Sequence, residues 1–273
     1  MKLVKTLLAV ALGAAINTAP ASAAILDGWN LNLSLLAGGA DATNIDYLVV
    51  SGFSTVGQTV VGGSALGQPF TDNGYFQVTK YIEEGSALVS SFTLPTGYTS
   101  LYILFTGLTG TLNLDGTITF DSNVGDVGLW LGDDGTPDGD GSDYLLADYD
   151  IIAPSGGSNL DFYGGSAANS TVDVTLDLLT VLAGLFTDAD GNPLDDGAPL
   201  TLHLVNVDSL LDDDFTPNPD NSGVVGGNGV SIIHVENAGQ YKITSGVPEP
   251  ATLALLGMGL LGMGMVSRRK SKS

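Results

Sequence analysis

Apolar and polar residues alternate along much of this chain with a period of two. Trp29-Asn30-Leu31-Asn32-Leu33-Ser34-Leu35 does so without a break, as does Thr171-Val172-Asp173-Val174-Thr175-Leu176-Asp177-Leu178. Successive side chains of a strand point to opposite faces, so this pattern predicts half-buried β-strands. Further short strand-like runs fall at 47–50, 75–82, 88–94, 100–105, 112–120, 127–131, 144–152, 200–207, 230–235 and 241–244. Gly, Asn and Asp separate them, which marks turns between antiparallel neighbours. Segment 178–186 reads equally as a helical turn or a buried strand. The expected fold class is all-β: a single antiparallel two-sheet sandwich, jelly-roll-like, because a dozen strands in one open sheet would leave long edges.

The two ends do not follow this pattern. Lys2 and Lys5 precede an apolar run at 7–16, and Ala21-Ser22-Ala23 has the A-x-A form of a signal-peptide cleavage site. Residues 1–23 are therefore expected to be removed by signal peptidase after passage through the general secretion machinery, with cleavage set by Ala21 and Ala23. At the other end, Val247-Pro248-Glu249-Pro250 leads into 16 uncharged residues, 251–266, and then Arg268-Arg269-Lys270. The two prolines fix φ and remove backbone donors, so this segment cannot extend a sheet. The apolar run is slightly short of the roughly 20 residues that span a hydrocarbon core. The basic residues after it stay on the cytoplasmic side. The expectation is a C-terminal transmembrane helix with a stop-transfer tail, and a single acidic domain at 24–246 between the two ends.

This C-terminal pattern closely resembles the PEP-CTERM sorting signal of exported bacterial proteins. The resemblance covers 247–273: motif, transmembrane helix and basic tail. It implies recognition and processing by an exosortase, a membrane-embedded cysteine peptidase-transferase. The protein would then be held at the membrane only until its tail is processed, after export across the inner membrane to the cell surface or beyond.

Charge sharpens the picture of what remains. Six of the eight basic residues lie in the two terminal segments and 29 of the 30 acids lie between them, which leaves 2 − 29 = −27 on the body. Such a body repels nucleic acid and attracts cations. An apolar fraction of 44% is enough to build a core, so the acidity does not imply disorder. There is no cysteine, which excludes disulfides, thiol catalysis and Cys-ligated metal.

The acids cluster. Asp133, Asp134, Asp138, Asp140 and Asp143 are interleaved with glycine in one loop; Asp188 to Asp196 and Asp212-Asp213-Asp214 form two more groups. Alternating Asp and Gly can gather oxygens around Ca²⁺, which takes 6–8 of them. The EF-hand pattern is not completed, since the twelfth position counted from Asp134 is Leu145. A Ca²⁺ loop and a solvated acidic turn both stand as readings, and no other cofactor is expected. The two histidines, His203 and His234, sit in strand-like stretches, with His234 on the polar face. Neither the G-x-S-x-G nor the H-E-x-x-H pattern occurs. Gly257-Met258-Gly259-Leu260-Leu261-Gly262 has the letters of a dinucleotide fingerprint but lies within the apolar tail, without a strand–turn–helix. No enzyme is expected.

Finally, Gly74-Tyr75-Phe76-Gln77-Val78-Thr79, Gly128 to Asp134 and Asp143 to Ala147 make the body similar to flocculation-associated PEP-CTERM proteins. That resemblance implies a structural or adhesive role in flocs or biofilm, with exopolysaccharide as partner. The alternatives are a lectin-like carbohydrate-binding module presenting Trp130 or Tyr144, and an exported polysaccharide hydrolase with paired carboxylates in a cleft.

Overall fold

A computed structural model describes residues 24–26, 28–86, 89–158, 170–194, 200–211 and 229–245. Thirteen strands account for most of them: β1 Ala24–Ile25, β2 Trp29–Leu31, β3 Ala42–Val60, β4 Gln68–Glu83, β5 Val89–Ser90, β6 Ser100–Leu112, β7 Ile118–Phe120, β8 Asp126–Gly132, β9 Tyr144–Ser158, β10 Ser170–Val181, β11 Phe186–Thr187, β12 Leu200–Leu211 and β13 Gly229–Ser245. The alternating stretch from Trp29 ends early as a strand, because a 3₁₀ turn at Leu33–Leu35 bends the chain after β2. The ambiguous segment 178–186 resolves into the end of β10, a turn, and β11.

The long strands pair antiparallel and in chain order: β3 with β4, β4 with β6, β8 with β9, β9 with β10, β10 with β12 and β12 with β13. β7 and β8 lie end to end between β6 and β9, sharing one place in the order. β13 then pairs with β3, from Gly229↔Val60 to Tyr241↔Leu48. The expected all-β antiparallel class is thus what the structure shows. The strands are joined as one sheet closed on itself, with eight positions round the ring, rather than as two hydrogen-bonded sheets. Closure removes the unpaired edges that a sandwich would only shorten.

The barrel is apolar inside. On β3 the even positions from Leu48 to Val60 face inward, and on β4 Phe70, Phe76 and Val78 do. On β6 the inward set changes phase, from Leu101, Ile103 and Phe105 to Leu108 and Leu112. A bulge causes the change: Gly74 pairs with Phe105 while Asp72 pairs with Leu108, so β6 has one extra residue there. Gly107 takes φ +67°, and the side chain of Asn73 accepts its N–H at 2.7 Å. Outward positions carry Ser51, Thr71, Asn73, Gln77, Asp126, Asp173, His234 and Glu236, all half-buried or exposed. Phe53, Val230 and Ile232 are also exposed on this outer face.

The two ends of the barrel are built differently. At the end where β3 begins, β2 pairs with β3 and β11 pairs with β2. They bring Trp29 and Phe186 into edge-to-face contact at 6.0 Å, with Tyr241 6.3 Å from Trp29. All three are fully buried. Tyr149 and Tyr241 share a hydrogen bond of 3.0 Å between their hydroxyls, and burial pushes both phenols upward in pKa. The turn 133–143, the turn 188–192 and Ser245 belong to this end, as the register of β8 with β9 and of β12 with β13 requires. Towards the opposite end, marked by turns 61–67 and 113–117, the interior is incompletely filled.

Candidate functional site

Three regions carried functional expectations. The sorting motif Val247, Pro248, Glu249 and Pro250, the basic tail Arg268, Arg269 and Lys270, and the cleavage residues Ala21 and Ala23 lie outside the described residues, as does the expected transmembrane helix. Among the described residues no helix is long and apolar enough to cross a membrane. The acidic groups at Asp195-Asp196 and Asp212-Asp213-Asp214 are also outside them.

The loop joining β8 to β9 is described in full, and its acids divide into two kinds. Asp143 is half-buried and anchors the loop. Its Oδ2 accepts the Tyr102 hydroxyl and the Gly139 N–H (3.1 Å), and its Oδ1 accepts the Asp133 N–H at 3.2 Å. Tyr102 is completely buried beneath this loop, and burial and the Asp143 carboxylate both push its phenol upward. Three of the remaining four acids close local turns, each carboxylate accepting the N–H two residues ahead: Asp134 from Thr136 (2.7 Å), Asp138 from Asp140 (3.1 Å) and Asp140 from Ser142 (2.7 Å). The Ser142 side chain and N–H hold the Asp140 carboxyl below the usual range.

Of the five predicted ligands, Asp138, Asp140 and Asp143 come together, with one oxygen of each within 4.8 Å of the others. Asp133 and Asp134 are not part of that group. Three carboxylates at this spacing fit part of a Ca²⁺ shell, and water or main-chain carbonyls would have to supply the rest of its 6–8 oxygens. The Asp188 turn resembles it in sequence but is closed more fully. Both oxygens of Asp188 are occupied, by the N–H groups of Asp190 and Asn192 and by the Asn192 side chain.

The outer face of the sheet adds a second acidic region. Asp150 on β9 is directly opposite Asp177 on β10. Nearby, burial first and then the charges of Asp126 and Asp150 hold the Asp148 carboxyl above its ordinary range. Like charges placed opposite one another are unfavourable unless cations gather there. Of the aromatic candidates, Trp130 is half-buried and Tyr144 is exposed, meeting Tyr98 edge-on at 6.5 Å. His234 is exposed and lies 3.2 Å from the Thr55 hydroxyl through its Nδ1, as its place on the polar face of β13 predicts.

One group of polar residues escaped the sequence analysis. Ser54, Gln58 and Asn237 are nearly inaccessible, and with Asp72 they line a cavity of about 70 Å³ inside the barrel. The available signal was a polar residue in the inward phase of a strand. It was hidden because 51–60 does not alternate cleanly and the strand was expected to stop at Val50. Among the described residues, Asp72 is the one carboxylate lining this cavity.

The family model of the PEP-CTERM protein-sorting motif matches residues 246–270. The chain is thus a PEP-CTERM domain-containing protein, an exported protein targeted to an exosortase for membrane-associated processing towards the cell surface. No curated protein and no solved structure matches the chain. The likeness of the body to flocculation-associated proteins is therefore not supported by the comparisons.

Proposed function

We propose that the processed body is a non-enzymatic, adhesive component of the extracellular matrix. It would act in floc or biofilm cohesion by sharing divalent cations with acidic exopolysaccharide. The observation that carries this reading is the placement of acid where a partner can reach it. Asp138 and Asp140 are exposed on one loop beside Asp143, and Asp150 and Asp177 oppose each other on the outer sheet. Two anionic partners repel unless a shared cation offsets the charge, and a net −27 on the body makes that repulsion large. Ca²⁺ suits the role because it accepts oxygens from several molecules in irregular geometry.

The test is co-sedimentation of the processed protein with alginate as the acidic polysaccharide. Pelleting is expected in millimolar Ca²⁺ and should disappear with EDTA. Replacing Asp138, Asp140 and Asp143 by Asn should weaken it severalfold. Pelleting that ignores chelator would overturn cation bridging. A lectin-like role is the second reading, favoured by the Tyr98–Tyr144 pair beside the acidic loop. It expects pelleting with neutral glucans that EDTA does not change and that Tyr144→Ala abolishes. The processing step has its own check: intact-mass measurement of the mature C-terminus should find it truncated near Pro248, and a chain ending at Ser273 would contradict exosortase cleavage.

A further inference from the structure

The barrel cavity is walled almost entirely by hydrocarbon, with Phe70, Phe76, Phe105, Leu108, Val174 and Val235 among its lining. Its polar groups lie along one arc of the wall, where β13, β3 and β4 are neighbours. Asn237 donates to the Ser54 hydroxyl at 3.1 Å, and the Asp72 carboxylate accepts from the Ser54 hydroxyl and from the Asn73 N–H. Gln58 is occupied by main-chain carbonyls, with its amide 2.9 Å from Thr59 O and 3.2 Å from Pro69 O. Asp72 as a whole is half-buried, yet its Oδ1 is shut off from solvent and has no hydrogen-bond partner. An acceptor left bare in an apolar chamber costs the fold free energy, and a ligand donor would offset that cost.

We propose that the barrel interior is a binding site for a small organic cation, an alkyl- or arylammonium group whose N–H donates to Asp72 Oδ1 and whose hydrocarbon part fills the apolar chamber. Three observations select this class. The space, at about 70 Å³, holds roughly five water-sized groups. The walls are hydrocarbon and lack the 6–8 oxygens that an inorganic cation such as Ca²⁺ requires. The charge of −27 concentrates cations around the body and repels organic anions. Among the described residues no other ionisable side chain lines the cavity, so Asp72 sets the preference for charge. Burial pushes its carboxyl up to about 7, and an ammonium beside it would draw it back down. An eight-stranded barrel is also the size that encloses one small ligand. This site is independent of the adhesive role of the outer surface.

The test uses the full chain in lipid nanodiscs, with ¹³C-labelled methyl groups and isobutylammonium as probe. Isobutanol and isobutyrate serve as neutral and anionic controls of nearly equal shape. Saturable shifts are expected at the Val174, Val235 and Leu108 methyls, with the ammonium at least tenfold tighter than the alcohol and no effect of isobutyrate. Asp72→Asn should weaken the ammonium at least tenfold and leave the alcohol unchanged. Val174→Phe should fill the chamber and remove both responses. The proposal is overturned if these methyls do not respond at 10 mM ammonium, if ammonium and alcohol bind equally, or if Asp72→Asn binds the ammonium as well as the parent chain. The comparison of probes on the parent chain decides the matter even where a variant fails to fold.

Discussion

One barrel has two ends, and they solve the problem of a tube's interior in opposite ways. At one end Trp29, Phe186 and Tyr241 meet ring to ring, and short strands β2 and β11 bring the plug in from outside the ring. Packing there is close, and aromatic volume substitutes for the disulfides this exported chain cannot form. Towards the other end a chamber remains, and a carboxylate, a hydroxyl and two amides sit in its wall. The difference teaches that filling this barrel was within the reach of the same side chains. Among the described residues each end holds one buried polar atom without a partner, the Trp29 Nε1 donor in the plug and the Asp72 Oδ1 acceptor at the chamber, and only the second belongs to a residue that lines a cavity.

The contrast can be tested by stability. The largest effect should come from the plug: Trp29→Ala is expected to cost about 3–5 kcal/mol in urea unfolding, the range for removing a buried aromatic residue from a close-packed core. A loss under 1 kcal/mol would mean that the plugged end is no better packed than the chamber.

Next comes Asp72. Its carboxyl is raised in the folded barrel to about 7, from 3.8. The folded state therefore holds a proton that the unfolded state has released, and stability falls as pH rises from about 4 to about 7. Three pKa units correspond to about 4 kcal/mol, an upper bound for a half-buried residue. The Asp72→Asn variant should lack this slope, so its stability relative to the parent should climb across the same window. Parallel curves from pH 4 to 7 would place Asp72 in solvent.

A smaller effect is expected where the acidic loop is anchored at the plugged end. Tyr102→Phe removes the donor to the buried side of Asp143, and about 2 kcal/mol should be lost, the range for hydrogen bonds to charged groups. The smallest belongs to the chamber wall. Val235→Ala should cost about 1 kcal/mol, because a side chain facing empty space has fewer contacts to lose. If it costs as much as Trp29→Ala, the chamber is not a void.

Much of this was legible beforehand, for reasons that differ by region. The strands at 75–82 and 171–178 alternate visibly because one face of each lies mainly in the core and the other mainly towards water, whereas 100–105 and 127–131 were legible as apolar runs because both of their faces are covered. Asp143 looked like its neighbours in the acidic loop, since nothing local distinguishes an anchoring carboxylate from a solvated one. Its role depends on Tyr102, 41 residues away. Asp72 was missed because the strand was expected to begin at Tyr75, whereas β4 begins at Gln68 and keeps one inward phase through Phe70, Asp72, Phe76 and Val78.

By itself, the amino-acid sequence determined the route of this protein and its class of secondary structure. A sorting tail is read as a linear string by another protein, so it needs no fold around it, and period-two alternation is a property of neighbouring residues. Only the tertiary structure decided that the sheet closes. The bonds that close it join β3 to β13, as at Thr55↔His234, across 179 residues, and no local pattern encodes a pairing at that distance. The chamber exists for the same reason: closure turned one face of every strand inward and brought Ser54, Asp72 and Asn237 to one wall.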